Sequence, residues 1–294
     1  MKLPIVVGID LTEASDDALI QAEARATRDG VPLTVVHAMT PLLWDPANDS
    51  NALERAKGLV RQRFTALTGR SDHQYAVVVE RGLAHTVLAG LAISQHALLV
   101  VGSHMRHGVG HAFLRDVTER VVARARGPVL VTRPRVASER VLVAVDRPFE
   151  SSAALDIAID EARSSDSKLT VLHCVNMGFL TTLAADLVNG GAYADRPLGQ
   201  RSPVAEARQL LNAELGRRRV DADLYIVEGA AQQLISEVAT SVDADLVVVG
   251  TAHRPAPTPH VTTAVLRHAP CSVLIVDELT TLESACIPLH ASRL

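Results

Sequence analysis

Residues 6–10 read VVGID, and residues 142–146 read LVAVD, 136 positions further along the chain. Four more pairs of similar segments follow in the same order: LTVVHA at 33–38 with LTVLHC at 169–174, VERG at 79–82 with IVEG at 226–229, LLVVGS at 98–103 with LVVVGT at 246–251, and PVLVT at 128–132 with SVLIV at 272–276. Five ordered matches indicate an internal duplication. We divide the chain into a first repeat at 1–136, a second repeat at 137–277 and a tail at 278–294. The offsets drift, which indicates an insertion within 176–200.

Each repeat alternates short apolar runs with longer segments of helical periodicity. In the first repeat the pattern predicts strands at 4–9, 32–38, 74–79, 97–101 and 128–132, and helices at 15–28, 50–68, 84–95 and 117–126. Continuous β-branched runs are typical of parallel strands that helices cover on both faces. The sequence therefore predicts an α/β fold with two tandem, doubly wound parallel sheets. We expect Ser15 and Asp116 to cap the helices that follow them.

The composition argues against several classes of protein. The net charge is −4 and only 3% of the 294 residues are aromatic, which disfavours a nucleic-acid-binding surface. No apolar run reaches the length of a membrane span, and the first residues do not resemble a signal peptide. The three cysteines (Cys174, Cys271 and Cys286) lack metal-ligand spacing. We therefore expect reduced thiols in a cytoplasmic protein and no metal site.

The repeated segments resemble a known family. The runs VVGIDLTEAS, LTVVHA, VERG, LLVVGSH and RGPVLVTRP are similar to the universal stress protein domain, and the second repeat keeps the same frame. The resemblance implies a five-stranded parallel sheet in the order 3-2-1-4-5 for each repeat. It also implies ATP as the candidate cofactor, because many members bind it, and a weak ATPase activity by analogy alone.

Candidate nucleotide-contacting residues lie where predicted strands end, because ligands of open α/β sheets bind at the carboxyl edge. With the positions that the resemblance adds, the set is Asp10, Ala38, Gly102, Arg106, Gly108, Gly110, Arg115, Val117, Asp146 and Gly250. Two alternatives stay open. Asp10 and Asp146 either contact a nucleotide or cap the turns that follow them. Ala38 either touches a base or belongs to the core, and we favour the core.

The phosphate loop of ATP-binding members has the form G-x2-G-x9-G-[ST]. In the first repeat only its first glycine, Gly102, is kept, because Met105, Arg115 and Asp116 occupy the other three positions. The second repeat has no glycine between Gly250 and its last strand. It carries three prolines there instead (Pro255, Pro257 and Pro259), which remove backbone N–H donors. These changes predict that ATP binding is weak or absent.

Two functions remain in competition. The first is a stress-response or signalling protein that binds partners or small ligands, and the second is an adenine-nucleotide sensor that uses the first repeat. An enzyme is disfavoured because no G-x-S-x-G nucleophile turn is present, and we interpret His37 and His173 as structural. The last strand of each repeat would lie at a sheet edge that needs a cover. We expect the two to pair within one chain, and a homodimer is left open.

Overall fold

The computed structural model describes residues 2–40, 51–70, 75–103, 115–134, 138–146, 153–175, 203–251 and 260–277. The described strands are β1 (Ile5–Ile9), β2 (Leu33–Met39), β3 (Tyr75–Arg81), β4 (Leu98–Gly102), β5 (Val129–Thr132), β6 (Arg140–Val145), β7 (Lys168–Val175), β8 (Asp223–Glu228), β9 (Leu246–Thr251) and β10 (Ser272–Asp277). The described helices are α1 (Asp16–Asp29), α2 (Ala52–Thr68), α3 (Ala84–Ser94), α4 (Arg115–Arg124), α5 (Ala153–Ser164), α6 (Pro203–Arg218), α7 (Ala231–Ser241) and α8 (His260–His268). The bounds predicted for the first repeat agree with these to within two residues.

The chain forms two compact units. Unit 1 contains the described residues up to 134 together with Thr251 and 271–277. Its strands lie in the order β3-β2-β1-β4-β5-β10. The first five are parallel and follow the predicted order 3-2-1-4-5, with Val6 paired to Thr34 on one side and to Leu99 on the other. The sixth strand, β10, comes from the second repeat and pairs antiparallel with β5. This confirms the expected pairing of the two terminal strands within one chain.

Unit 2 contains the described residues of 138–250 and 260–270. Its strands lie in the order β9-β6-β7-β8, and β6 pairs in parallel with both β7 and β9. The second repeat thus reproduces the central strand order of the first. Both repeats alternate strands and helices in the same order. Both therefore form a parallel sheet with the same central strand order.

Helices cover the strands of both units, which explains the uninterrupted apolar runs. In unit 1, β1 packs against α1 and α3, and Val6 and Val7 are fully buried between them. In unit 2, α5 packs on β6 and α7 packs on β7, with Leu142 and Val143 fully buried. Each central strand therefore contributes apolar side chains to both faces of its sheet. This burial leaves the carboxyl ends of the strands as the place for polar chemistry.

Candidate functional site

Three of the predicted site residues of unit 1 lie at the carboxyl edge of its sheet. Asp10 follows β1, Ala38 is near the end of β2, and Gly102 ends β4. Because β1 is hydrogen-bonded in parallel to both β2 and β4, these strand ends meet at one edge. Asp10 is exposed, and Ala38 is half-buried rather than enclosed in the core. The edge therefore carries one carboxylate beside a small, partly open side chain.

The Asp10 carboxylate binds the turn that follows it. Its Oδ1 accepts hydrogen bonds from the backbone N–H of Thr12 at 2.9 Å and from the Thr12 hydroxyl at 2.6 Å. Leu11, between them, adopts a left-handed φ of 63°, which is uncommon for a side chain of this size. The carboxylate supports this tight turn. For Asp10, the turn-capping interpretation is thus observed.

Ser15 completes the same turn, and its side chain does not cap α1. Its hydroxyl donates to the carbonyl of Thr12 at 2.9 Å and accepts the N–H of Asp10 at 3.3 Å. The side chain is 4% exposed and makes no capping hydrogen bond to the helix. Ser15 is thus the N-cap residue of α1, as predicted, but its side chain does not make the capping hydrogen bond. The buried hydroxyl satisfies the backbone at the end of β1, and α1 begins without its help.

The segment from β4 to α4 carries the remaining candidates of unit 1. The Thr118 hydroxyl donates to the carbonyl of Gly102 at 3.3 Å, so the first turn of α4 is tied to the end of β4. Val117 is half-buried beside it. α4 is described from Arg115 onward, and Asp116 lies in this described part, whereas residues 104–114 lie outside the described residues. Sequence reasoning missed Thr118, because a threonine inside a helix gives no signal of a contact with a strand end.

Several predicted features lie outside the described residues. These are Arg106, Gly108 and Gly110 of the first loop, the three prolines of the second loop, the insertion at 176–200 and the tail at 278–294. For Arg115 and Asp116 only the backbone positions are described, so the cap at Asp116 stays a prediction. The interpretation of these segments therefore stays at the level of the sequence.

The two strand histidines occupy matching positions. Nδ1 of His37 donates to the carbonyl of Ile9 at 3.0 Å, and Nδ1 of His173 donates to the carbonyl of Val145 at 2.9 Å. A carbonyl only accepts, so Nδ1 carries the proton in both rings. Each imidazole ties the second strand of its repeat to the last residue of the first strand. Both histidines are structural, as the sequence indicated.

The carboxyl edge of unit 2 repeats this arrangement with one difference. Asp146 is exposed after β6, Gly250 is half-buried near the end of β9, and Cys174 stands where the first repeat has alanine. Burial, reinforced by the negative charge of Asp146, raises the pKa of the Cys174 thiol to about 11. The structure thus brings Asp146 and Cys174 close enough to interact. A thiol in this state is protonated at neutral pH and is a poor nucleophile.

A glycine turn closes the third strand of both repeats. Gly82 follows β3 with a φ of 152°, and Gly229 follows β8 with a φ of 143°. Each N–H donates at 3.0 Å to a neighbouring strand end, the carbonyl of Met39 and that of Val175 respectively. Side chains rarely adopt these φ values, so the turn that joins the two strand ends requires glycine. The shared VERG and IVEG segments are explained by this geometry.

Within the described ranges, no three His, Cys, Asp or Glu side chains come together as a metal site requires. Among the helices described above, none combines the length and apolar character needed to cross a membrane.

The comparison with protein families agrees with this geometry. The universal stress protein family matches residues 1–133 and again residues 138–277. The chain belongs to the universal stress protein family. A universal stress protein of Mycolicibacterium smegmatis is 32% identical over 145 residues, which cover 46% of this chain and 47% of the relative. The matched segment thus spans about half the length of that relative.

Two further similarities extend over nearly the whole length of the related protein. A universal stress protein of Thermus aquaticus is 33% identical over 137 residues, which cover 44% of this chain and 97% of that protein. The crystal structure of a universal stress protein from Archaeoglobus fulgidus is similar with a TM-score of 0.70 at 16% identity, over 95% of this chain and 97% of that one. At this identity the structural similarity concerns the fold.

Proposed function

We propose that this universal stress protein acts in stress response or signalling by binding partners or small ligands, with ATP binding weak or absent. The observation that carries the proposal is the residue at position 116. Asp116 stands where ATP-binding members place a serine or threonine that opens a helix, and α4 is described from Arg115 onward. The proposal includes the cytoplasm as its location, where the thiols of Cys174 and Cys271 stay reduced.

The physical argument is electrostatic. The first turn of a helix presents free N–H groups and the positive end of the helix dipole, which together favour an anion. A carboxylate in that turn supplies this anion from the chain itself. It also repels an incoming triphosphate, by ~1–4 kcal/mol for each pair of charges at ~4 Å. A carboxylate at position 116 therefore opposes the ligand that a hydroxyl at this position would bind.

The second repeat supports the same proposal through its sequence. Pro255, Pro257 and Pro259 follow the end of β9, where a phosphate-binding loop would need backbone N–H donors. A proline has no such donor. We therefore propose that this loop has a structural role or contacts a partner.

The alternative is an adenine-nucleotide sensor that uses unit 1. It is supported by the way in which Asp10, the half-buried Ala38 and Gly102 share one sheet edge. The loop that follows also keeps Arg106, Gly108 and Gly110 in its sequence, which offer positive charge and accessible backbone. Under this alternative, replacing Arg106 or Arg115 would weaken ATP binding.

One substitution separates the two proposals. We expect the Asp116→Ser variant to bind ATP with Mg²⁺ at least ~10-fold more tightly than the wild type, because ~1.4 kcal/mol of repulsion corresponds to a factor of ten. The matched control is Glu119→Gln, which removes a negative charge from the same helix one turn later. Equilibrium dialysis measures both. Tight binding by the wild type would favour the sensor, and equal gains from the two variants would contradict the electrostatic argument for Asp116.

A further inference from the structure

The outer edge of β5 is covered by β10, and the contact between the two strands is apolar on both sides. The paired residues are Val129 with Ile275, Leu130 with Leu274, and Val131 with Val273. All six side chains are at most 3% exposed. Apolar contacts of this kind stabilise the pair without identifying a particular partner strand.

A second molecule of this chain offers an almost identical strand. Residues 129–132 read VLVT and residues 273–276 read VLIV, because β5 and β10 are equivalent strands of the two repeats. The residue before each run differs. Ser272 precedes VLIV, whereas Pro128 precedes VLVT. Besides the connection within one chain, a preference of β5 for β10 over another β5 requires positions at which the two strands differ, and Ser272 is one of them.

A polar cluster of the buried Arg133 and Ser272 and the half-buried Gln21 lies at this differing position. The Ser272 hydroxyl accepts the N–H of Arg133 at 3.1 Å and donates to Oε1 of Gln21 at 3.1 Å. Nε2 of Gln21 in turn donates to the carbonyl of Arg133 at 2.7 Å, and Nη1 of Arg133 donates to the carbonyl of Cys271 at 2.8 Å. Arg133 is 6% exposed and Ser272 is 5% exposed. The hydroxyl of Ser272 thus joins β10 to the end of β5 and to helix α1.

We propose that the hydrogen bonds among Gln21, Arg133 and Ser272 make strand pairing at the edge of β5 selective. They favour β10 of the same chain over β5 of a second molecule. If a second β5 paired in the same register, its Pro128 would take the place of Ser272. Proline carries no hydroxyl, so the buried N–H of Arg133 and the half-buried amide oxygen of Gln21 would lose their partner. Burying polar groups without partners is costly, and it discriminates between competing strands.

The register makes this proposal testable with one introduced cysteine. In the observed pair, residue 130 faces Leu274. In a pair of two β5 strands with the equivalent register, residue 130 would face residue 130 of the other molecule. A disulfide between two Leu130→Cys residues therefore reports pairing of two β5 strands. Directly opposite residues of antiparallel strands are close enough for such a bond.

The Leu130→Cys substitution is combined with Ser272→Pro, Ser272→Ala or Ser272→Thr. Oxidation traps molecules in which β10 has left the edge of β5. Even a small population of such molecules therefore accumulates as covalent dimer. We expect Ser272→Pro to raise the yield of the 130–130 disulfide by about tenfold, as expected when buried hydrogen bonds lose a partner, and Ser272→Ala to raise it in the same direction. The Thr variant keeps the hydroxyl and should remain near the Ser272 level.

The matched control is Thr132→Val. In the observed register Thr132 is opposite Ser272 and is also buried, but its hydroxyl donates to the carbonyl of Val101 on β4 at 3.3 Å. Mass spectrometry of the linked peptides separates the 130–130 product from bonds to the native cysteines, and circular dichroism verifies folding. Equal yields for Ser272→Ala and Thr132→Val would overturn the proposal. So would a high yield with Ser272 intact.

Discussion

Cys174 offers a quantitative test of the carboxyl edge of unit 2, because its reactivity depends on burial and on Asp146. The pKa of its thiol is raised from an ordinary value of 9.0 to about 11. Alkylating reagents react with the thiolate, and at pH 8 a rise of this size lowers the thiolate fraction about a hundredfold. We therefore expect iodoacetamide to modify Cys174 about a hundredfold more slowly in the native protein than in the same protein unfolded in urea.

The assay is a time course of alkylation, read by mass spectrometry of the peptide that contains Cys174. Burial is the larger cause of the shift and the charge of Asp146 the smaller. The Asp146→Asn variant should thus accelerate the native reaction by a modest factor, well short of the urea rate. Asp156→Asn is the matched control, because Asp156 lies on α5 of the same unit and pairs with Arg218.

Two results would refute this reasoning. A native rate within tenfold of the urea rate would show that the thiol is not protected. Equal rates for Asp146→Asn and Asp156→Asn would show that Asp146 does not act on the thiol. The sign of the pH dependence follows from the same shift. The folded state holds its proton above pH 9.0, so this contribution to stability is complete below pH 9.0 and is lost as the pH rises towards 11.

Three further predictions concern stability and are measured by urea denaturation. A β-carbon at Gly8 would lie 2.6 Å from the buried Leu88 side chain, so Gly8→Ala should destabilise unit 1 by about 1–3 kcal/mol, and a neutral result would contradict the packing of β1 on α3. Gly58→Ala should instead stabilise by about 0.5–1 kcal/mol, because this helical position has no neighbour within 4 Å; a loss would be inconsistent with its open setting. Asp10→Ala removes the acceptor for Thr12 and should cost about 0.5–1.5 kcal/mol, whereas Asp10→Asn keeps an oxygen and should cost less; equal losses would argue against the turn.

The fold was largely readable from the sequence because its signals are local and repeated. The run VVGID predicts a buried strand with a polar end in any context, and its second occurrence at 142–146 predicts the second unit. The site was only partly readable. Ser15 has two competing uses for its hydroxyl, a helix cap or the Asp10 turn, and their relative free energies depend on the packing of β1. The contact of Thr118 with Gly102 also depends on tertiary structure.

Contacts between distant residues were beyond sequence reasoning for a different reason. Gln21 and Ser272 are 251 positions apart, and their hydrogen bond exists only because β10 crosses to the edge of β5. The apolar pattern predicted that the two terminal strands would pair. It gave no information about which polar atoms would select the partner, because Gln21, Arg133 and Ser272 each have an ordinary local sequence.

The most direct test of the proposed function is the nucleotide content and the ATP response of the intact protein. The purified chain is denatured and any released nucleotide is quantified, and its stability is then compared without and with excess ATP and Mg²⁺. With Asp116 in place of the serine or threonine, we predict no stoichiometric nucleotide and no stabilisation. One bound nucleotide per chain, or stabilisation approaching the ~2.7 kcal/mol expected at 100 times the Kd, would contradict the account.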